Sequence, residues 1–243
     1  MKAIILAAGI GKRLYPLTKE MPKCLLTVGD KSILEHQIES LRRCDIHDIV
    51  VVSGFKKDLV RQIAGPSIKY IHNGQYDRTN SLYSLWLARE EAQDGFICLN
   101  SDVFFAHSLI ERLLQCPYPD VLMVDLNQEM GDEEMKVKIK ERAVVAINKE
   151  MDNAEADGEN VGVLKFSASG AKVLFGLIDS IISRGTVNVM VPYAFHRIAQ
   201  FHPLYVEYTN GIPWIEIDFP EDLLKARDVI YPRVQALACL PVS

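Results

Sequence analysis

MKAIILAAGIGKRLYPLTKEMPKCLL, Met1 to Leu26, runs a buried-strand pattern straight into a loop that carries two glycines and four basic residues, Lys12, Arg13, Lys19 and Lys23. From Ala3 to Ala8 every position is apolar, so both faces of the pleat need cover. That is the pattern of a strand inside a parallel sheet with helices on both sides. The chain breaks at Gly9. Gly9 and Gly11 allow positive φ and close backbone approach, so successive N–H groups can converge on an anion while Arg13 adds a forked, permanently charged donor. Glu20 is the one acidic residue between Gly9 and Lys23, in a chain of net charge -5. The positive charge is therefore local, and it points to a polyphosphate.

Working outward, Ser32 can cap a helix whose apolar stripe is Ile33, Leu34, Ile38 and Leu41 with Gln37 on the same side, and Ile49 to Ser53 is a short β-branched strand. The alternation continues with a helix from about Lys57 to Ala64, a strand at Ile68 to Ile71, a helix from about Ser81 to Ala92 and a strand at Phe96 to Asn100. Strands separated by helical patterns imply an α/β fold of Rossmann-like type, a mostly parallel sheet flanked by helices. Ligands of such sheets lie beyond the carboxyl ends of the strands, where Gly9, Gly54 and Asp102 all fall. After Asp102 the rhythm changes. Val121 to Asp125, Lys136 to Lys140 and Ala143 to Asn148 read as strands without intervening helices, with Glu141-Arg142 as a hairpin turn. They predict a small mixed-strand, acceptor-binding insertion. Asp152 to Asn160, acidic and without a large apolar side chain, reads as a mobile loop. Val161 to Phe166 (strand), Ala168 to Ser183 and Val189 to Ala199 (helices), Leu204 to Tyr208 (strand) and a helix from Glu221 complete the reading. One domain is expected over 1–243, with a nucleotide-binding part over about 1–105 and an acceptor-binding part with the C-terminal helix over about 106–243.

Composition narrows the classes. With 49% hydrophobic residues over 243 positions the chain can bury a large core, and its acidic balance and pI near 5.7 argue against nucleic-acid binding. Cys24, Cys44, Cys98, Cys116 and Cys239 are scattered without CxxC spacing and read as reduced thiols of a cytoplasmic protein. The six histidines stand apart, which argues against zinc. No apolar run approaches the roughly 18 residues that span a bilayer. Association into a homo-oligomer is left open.

The loop matches neither GxGxxG, because Arg13 and Leu14 follow Gly11, nor a phosphate loop ending in GK[ST]. Its longer form is more telling. LAAGIGKRLYPLT followed by PKCLL resembles the signature of the nucleotidylyltransferase superfamily, which includes the sugar-1-phosphate nucleotidylyltransferases and the phosphocholine cytidylyltransferases. The resemblance covers roughly the first hundred residues, with a second patch at PWIEIDFPEDLLKA near the C-terminus. It implies transfer of a nucleoside monophosphate from an NTP to a phosphorylated acceptor, with release of pyrophosphate. It also implies that Mg²⁺ is held by Asp102, at the end of CLNSD, and by Asp218. Lys23 would hold the attacking phosphate. Arg13, with the Gly11 and Lys12 backbone, would neutralise the departing phosphates. Such chemistry needs positioning and charge neutralisation and no protein nucleophile.

The base is expected near the backbone of Ala8 and Gly9, with Gly54, Asn80 and Ser81. The QxxxxGLAQA pattern of sugar nucleotidylyltransferases is absent, and NSLYSL resembles the cytidylyltransferase branch instead. CTP and a small phosphorylated alcohol such as phosphocholine are therefore the expected substrates. Tyr193, Trp214, Glu216 and Glu159 are the acceptor candidates, since quaternary ammonium groups sit on aromatic faces beside carboxylates. Helical spacing assigns Trp86 to the core. Alternatives are a sugar-1-phosphate nucleotidylyltransferase using UTP, dTTP or GTP, and a noncatalytic nucleotide-binding regulatory subunit, against which the presence of Arg13, Lys23, Asp102 and Asp218 speaks. A dinucleotide-dependent oxidoreductase is disfavoured by the missing third loop glycine.

Overall fold

The computed structural model describes residues 1–126 and 131–238, and Cys239 lies outside them. In chain order the elements are β1 (Lys2–Ala7), β2 (Thr27–Val28), β3 (Lys31–Ser32), α1 (Ile33–Arg43), β4 (Ile49–Ser53), α2 (Lys57–Ala64), β5 (Lys69–His72), α3 (Ser81–Leu87), β6 (Phe96–Asn100), β7 (Val103–Phe105), α4 (Ser108–Gln115), β8 (Val121–Asp125), β9 (Lys136–Lys140) and β10 (Ala143–Asn148). They continue with β11 (Gly158–Phe166), α5 (Ala168–Ser183), α6 (Pro192–Ile198), β12 (Tyr205–Tyr208), β13 (Trp214–Glu216), α7 (Pro220–Lys225) and α8 (Tyr231–Ala238). One nine-stranded sheet in the order β5-β4-β1-β6-β11-β8-β12-β10-β9 organises them. The first four strands are parallel. β11 then runs antiparallel to both β6 and β8.

The pleat of β1 explains the layering. Ile4 and Leu6 enter one core with Val50, Val52 and the helices α3, α5 and α6, while Ala3, Ile5 and Ala7 enter the other with Leu34, Ile38 and Leu41 of α1. α1 starts on a capping box: the Glu35 N–H donates to Ser32 Oγ at 3.2 Å and the Ser32 N–H donates to Glu35 Oε2 at 2.9 Å. Such a cap stabilises a helix by about 1 kcal/mol. A third, smaller core joins Leu14 from the glycine loop to Phe104 of β7, Ile215 and Ile217 at β13, and Leu223, Ala226 and Ile230 of the C-terminal helices. It brings the first and last parts of the chain together, and that proximity builds the site.

Several expectations change. The later strands do not form an insertion; they extend the same sheet, and the short antiparallel pair β7–β13 stands beside it. The segment read as a mobile loop already holds the start of β11 at Gly158, and every residue from Gly158 to Phe166 is buried. A Cβ at Gly158 would lie 2.6 Å from the Asp125 carbonyl, so the absence of a side chain allows the strand to close there. The helix from Ser81 ends at Leu87 and gives way to a 3₁₀ turn, and the helix expected from Val189 begins at Pro192. Among the described residues, Cys24, Cys44, Cys98 and Cys116 are free, and burial pushes the Cys24 and Cys98 thiols up to about 12. No helix among the described residues is long and apolar enough to cross a membrane.

Candidate active site

A cleft of about 400 Å³ opens where β1 and β6 end, bounded by the glycine loop, the start of α3 and the Glu216–Asp218 segment. Gly11 has φ +71, and a Cβ there would sit 3.0 Å from Lys23 Cβ, so the loop folds onto the lysine only because the residue is glycine. Thr18 Oγ1 ties the loop by donating to the Gly11 carbonyl at 2.7 Å.

At the floor, the Lys23 ammonium donates to Asp102 Oδ2 at 2.9 Å and also to Asp218 Oδ1. Arg13 closes the group, with Nη2 donating to Asp218 Oδ2 at 2.6 Å and Nη1 to Glu133 Oε2 at 2.7 Å. Burial would lower the Lys23 value, but Asp102 and Asp218 outweigh it and raise it. For Asp218 burial pulls upward, and Lys23 and then Arg13 hold it below the usual carboxylate range. Glu216 has no such partner. Burial, and then repulsion by Asp102 and Asp218, push it well above that range.

Asp102 lies two residues beyond β6, in the turn to β7. Gln37 of α1 pins that turn from beneath, donating from Nε2 to the Asn100 carbonyl at 2.8 Å and to the Val103 carbonyl at 2.7 Å. Asp218 follows β13, and the backbone N–H groups of Asp218 and Phe219 both donate to the Asp222 carboxylate, fixing the start of α7. Oxygens of Asp102, Glu216 and Asp218 come within 4.8 Å of one another, and Asp102 Oδ1 is buried without a partner. A set of hard carboxylate oxygens with one orphaned buried acceptor suits Mg²⁺.

Most of the sequence candidates meet here: Ala8, Gly9, Gly11, Lys12, Arg13, Lys23, Asn80, Ser81, Asp102, Glu216 and Asp218 all line the cleft. Four positions differ from expectation. Gly54 is buried behind the wall, where a Cβ would lie 2.5 Å from the Ala8 carbonyl and 2.6 Å from Tyr76 Cβ; it makes room for Tyr76, which lines the cleft in its place. Trp214 is 5% exposed, and its indole N–H donates to Asp125 rather than offering an open face to the cleft. Tyr193 stands in a neighbouring cavity with Arg197 stacked 4.6 Å from its ring centroid. Glu159 and Trp214 share a separate small cavity with Glu216, and burial together with Glu134 and Asp125 pushes Glu159 up to about 8. Asn80 and Ser81 also serve the fold: Asn80 Oδ1 accepts from the Ser81 N–H at 2.8 Å, and Ser81 Oγ accepts from the Val191 N–H at 3.0 Å. Lys149 and Glu133 were not anticipated. Lys149 Nζ lies 3.2 Å from Glu133 Oε2, the same oxygen that Arg13 reaches, and nothing in the polar stretch around either residue signals this.

The mixed sheet and a basic loop facing two carboxylates define a nucleotidyltransferase, and the chain belongs to the MobA-like NTP transferase domain family, which it matches over residues 3–180. It is similar to the choline-phosphate cytidylyltransferase of Streptococcus pneumoniae, 29% identical over 95% of this chain and 98% of that one. The CTP:phosphoglutamine cytidylyltransferase of Campylobacter jejuni is 28% identical over 92% of this chain and 98% of the relative. A solved structure of the CTP:phosphocholine cytidylyltransferase from Streptococcus pneumoniae superposes with a TM-score of 0.76 at 26% identity, covering 94% of this chain and 98% of that one.

Proposed function

We propose that this enzyme transfers CMP from CTP to a small phosphorylated acceptor. The acceptor phosphate oxygen attacks the α-phosphorus, the bond to the β-phosphate breaks, and pyrophosphate leaves. The observation that carries the reading is Lys23 held between Asp102 and Asp218 with Arg13 on the outer oxygen of Asp218. Two anions must meet for this reaction, and the loop supplies the cations that allow it. Lys23 holds the attacking phosphate near the carboxylates, while Arg13 and the N–H groups of Gly11 and Lys12 neutralise the charge that grows on the leaving group. Lys149, which shares the Glu133 oxygen with Arg13, adds a further cation to the cleft. Asp102 and Asp218, with Glu216 beside them, would hold Mg²⁺, which when bound acts as a Lewis acid and template for the phosphates. Cytidine and a small acceptor are favoured by the likeness to the two cytidylyltransferases over nearly the whole chain.

The test is pyrophosphate release with CTP, UTP, dTTP, ATP and GTP, each against phosphocholine, phosphoethanolamine, inositol phosphate, glycerol phosphate and glucose-1-phosphate. CTP with a small phosphorylated alcohol is expected to be the best pair. If glucose-1-phosphate with UTP or dTTP is best, the sugar nucleotidylyltransferase reading replaces this one; if no pair reacts, catalysis itself is withdrawn.

A further inference from the structure

Asp102 and Asp218 offer four carboxylate oxygens, and three of them already meet a cation. The Lys23 ammonium spans the two residues, on Asp102 Oδ2 at 2.9 Å and on Asp218 Oδ1, while the Arg13 guanidinium holds Asp218 Oδ2 at 2.6 Å. Only Asp102 Oδ1 is left, buried and without a partner. A carboxylate oxygen can accept twice, but a divalent ion and an ammonium on the same oxygens repel each other strongly where little water screens them. One cation has to give way.

Lys23 is the one in the way. An ion that touches both aspartates has to stand between them, which is where the ammonium lies; Arg13 reaches Asp218 and Glu133 but not Asp102. The lysine also has room to move. Its charge rides on a flexible stem that lines the cleft, and Gly11 leaves that stem free on one side, since a Cβ there would lie 3.0 Å from Lys23 Cβ and 3.6 Å from its Cδ. The side chain is only 13% exposed, so an ammonium that leaves two carboxylates needs another anion.

We infer that Lys23 and the divalent ion compete for the space between Asp102 and Asp218, so that arrival of the ion turns the ammonium out to the acceptor phosphate. The inference rests on the proposed function, in that this phosphate is bound at Lys23. It makes Lys23 a carrier that changes partners and not a fixed clamp. Metal and phosphate then each strengthen the binding of the other through the same side chain.

The first measurement is Mn²⁺ binding to the protein, read from the electron paramagnetic resonance signal of the free ion, because Mn²⁺ takes the same oxygen ligands as Mg²⁺. Lys23→Met, which keeps most of the stem and loses the charge, is expected to bind Mn²⁺ at least about tenfold tighter than the native protein. The second measurement needs no variant: acetylation of the native protein by a water-soluble active ester, followed lysine by lysine by peptide mass spectrometry. Saturating Mg²⁺ is expected to raise the labelling rate of Lys23 at least about threefold, and inorganic phosphate added with it to lower the rate again. Lys165, buried with its ammonium on the Cys116 carbonyl, should not respond.

Equal or weaker Mn²⁺ binding by Lys23→Met overturns the inference. So does tighter binding without any effect of Mg²⁺ on Lys23 labelling, which would mean that the ammonium stays in place and only repels the ion. A rise shared by Lys165 would show general loosening and overturns it too. If thermal melting shows that the variant does not fold, labelling of the native protein decides alone. Both readouts are independent of turnover, so a failure of the pyrophosphate assay withdraws the proposed reaction while these results still judge the competition.

Discussion

The two walls of the site treat charge in opposite ways. On the loop wall every key group is paired: Lys23 with Asp102 and Asp218, and Arg13 with Asp218 and Glu133. On the β11–β13 wall Glu159 is buried and Glu216 half-buried among other carboxylates, and both are pushed upward by desolvation and by neighbouring carboxylates. A paired wall holds its cations in place before any ligand arrives, and binding then exchanges a carboxylate partner for a phosphate. An unpaired wall relieves the cost of burial by holding its carboxyls protonated, and so it answers to pH.

Removing charge from the paired wall should give the largest effects. Asp218→Asn loses the contacts to both Lys23 and Arg13 and is expected to cut kcat about a thousandfold, roughly 4 kcal/mol, with the fold retained. Steady-state pyrophosphate release checks it; near-native turnover would dissolve the contrast between the walls. Lys23→Ala should cost about a hundredfold, expressed mainly in use of the acceptor, and Lys23→Arg should not rescue it because Gly11 packs against the aliphatic stem of Lys23. Arg13→Ala should act mainly on the nucleotide, raising its KM about tenfold.

The unpaired wall should answer to pH instead. The Glu159 value of about 8 in the fold stands above its ordinary 4.5, so on raising pH the unfolded chain loses this proton first. The stabilising contribution is whole below about 4.5 and drains away as pH climbs to about 8. In Glu159→Gln the loss of stability over that window, on the order of 5 kcal/mol in the native protein, should flatten, so that the native melting temperature falls more steeply towards pH 8.5 than the variant's. An unchanged profile would mean that Glu159 is compensated after all. The smallest effect belongs beneath the paired wall: Gln37→Leu removes two hydrogen bonds to the turn bearing Asp102 and should cost about 1–2 kcal/mol, with some loss of kcat, by denaturant melts and kinetics.

The paired wall was legible in the sequence, and the reason is local. The apolar run of β1, the glycines and the basic residues occupy one stretch, and Asp102 and Asp218 each end a short strand that sequence pattern can find. The other wall was hidden. Gly158 to Asn160 reads as surface loop because burial of Glu159 and Asn160 is decided by strand pairing with β8 and β9, far away in sequence. Trp214 and Tyr193 carried the right residue types for an aromatic cage, yet packing sent one into the core and the other beneath Arg197. Gln37 was visible as part of a helical stripe, but its two backbone acceptors lie on a turn more than sixty positions away.

The bridge that Glu133 makes between Arg13 and Lys149 gives nucleotide entry the character of ion exchange. An arriving triphosphate evicts a resident carboxylate from these two cations, so fewer mobile counterions are released than the number of basic groups in the cleft would suggest. Affinity for the nucleotide should accordingly fall only gently as salt is raised, and Glu133→Gln, which empties the exchange site of its charge, should make that dependence steeper.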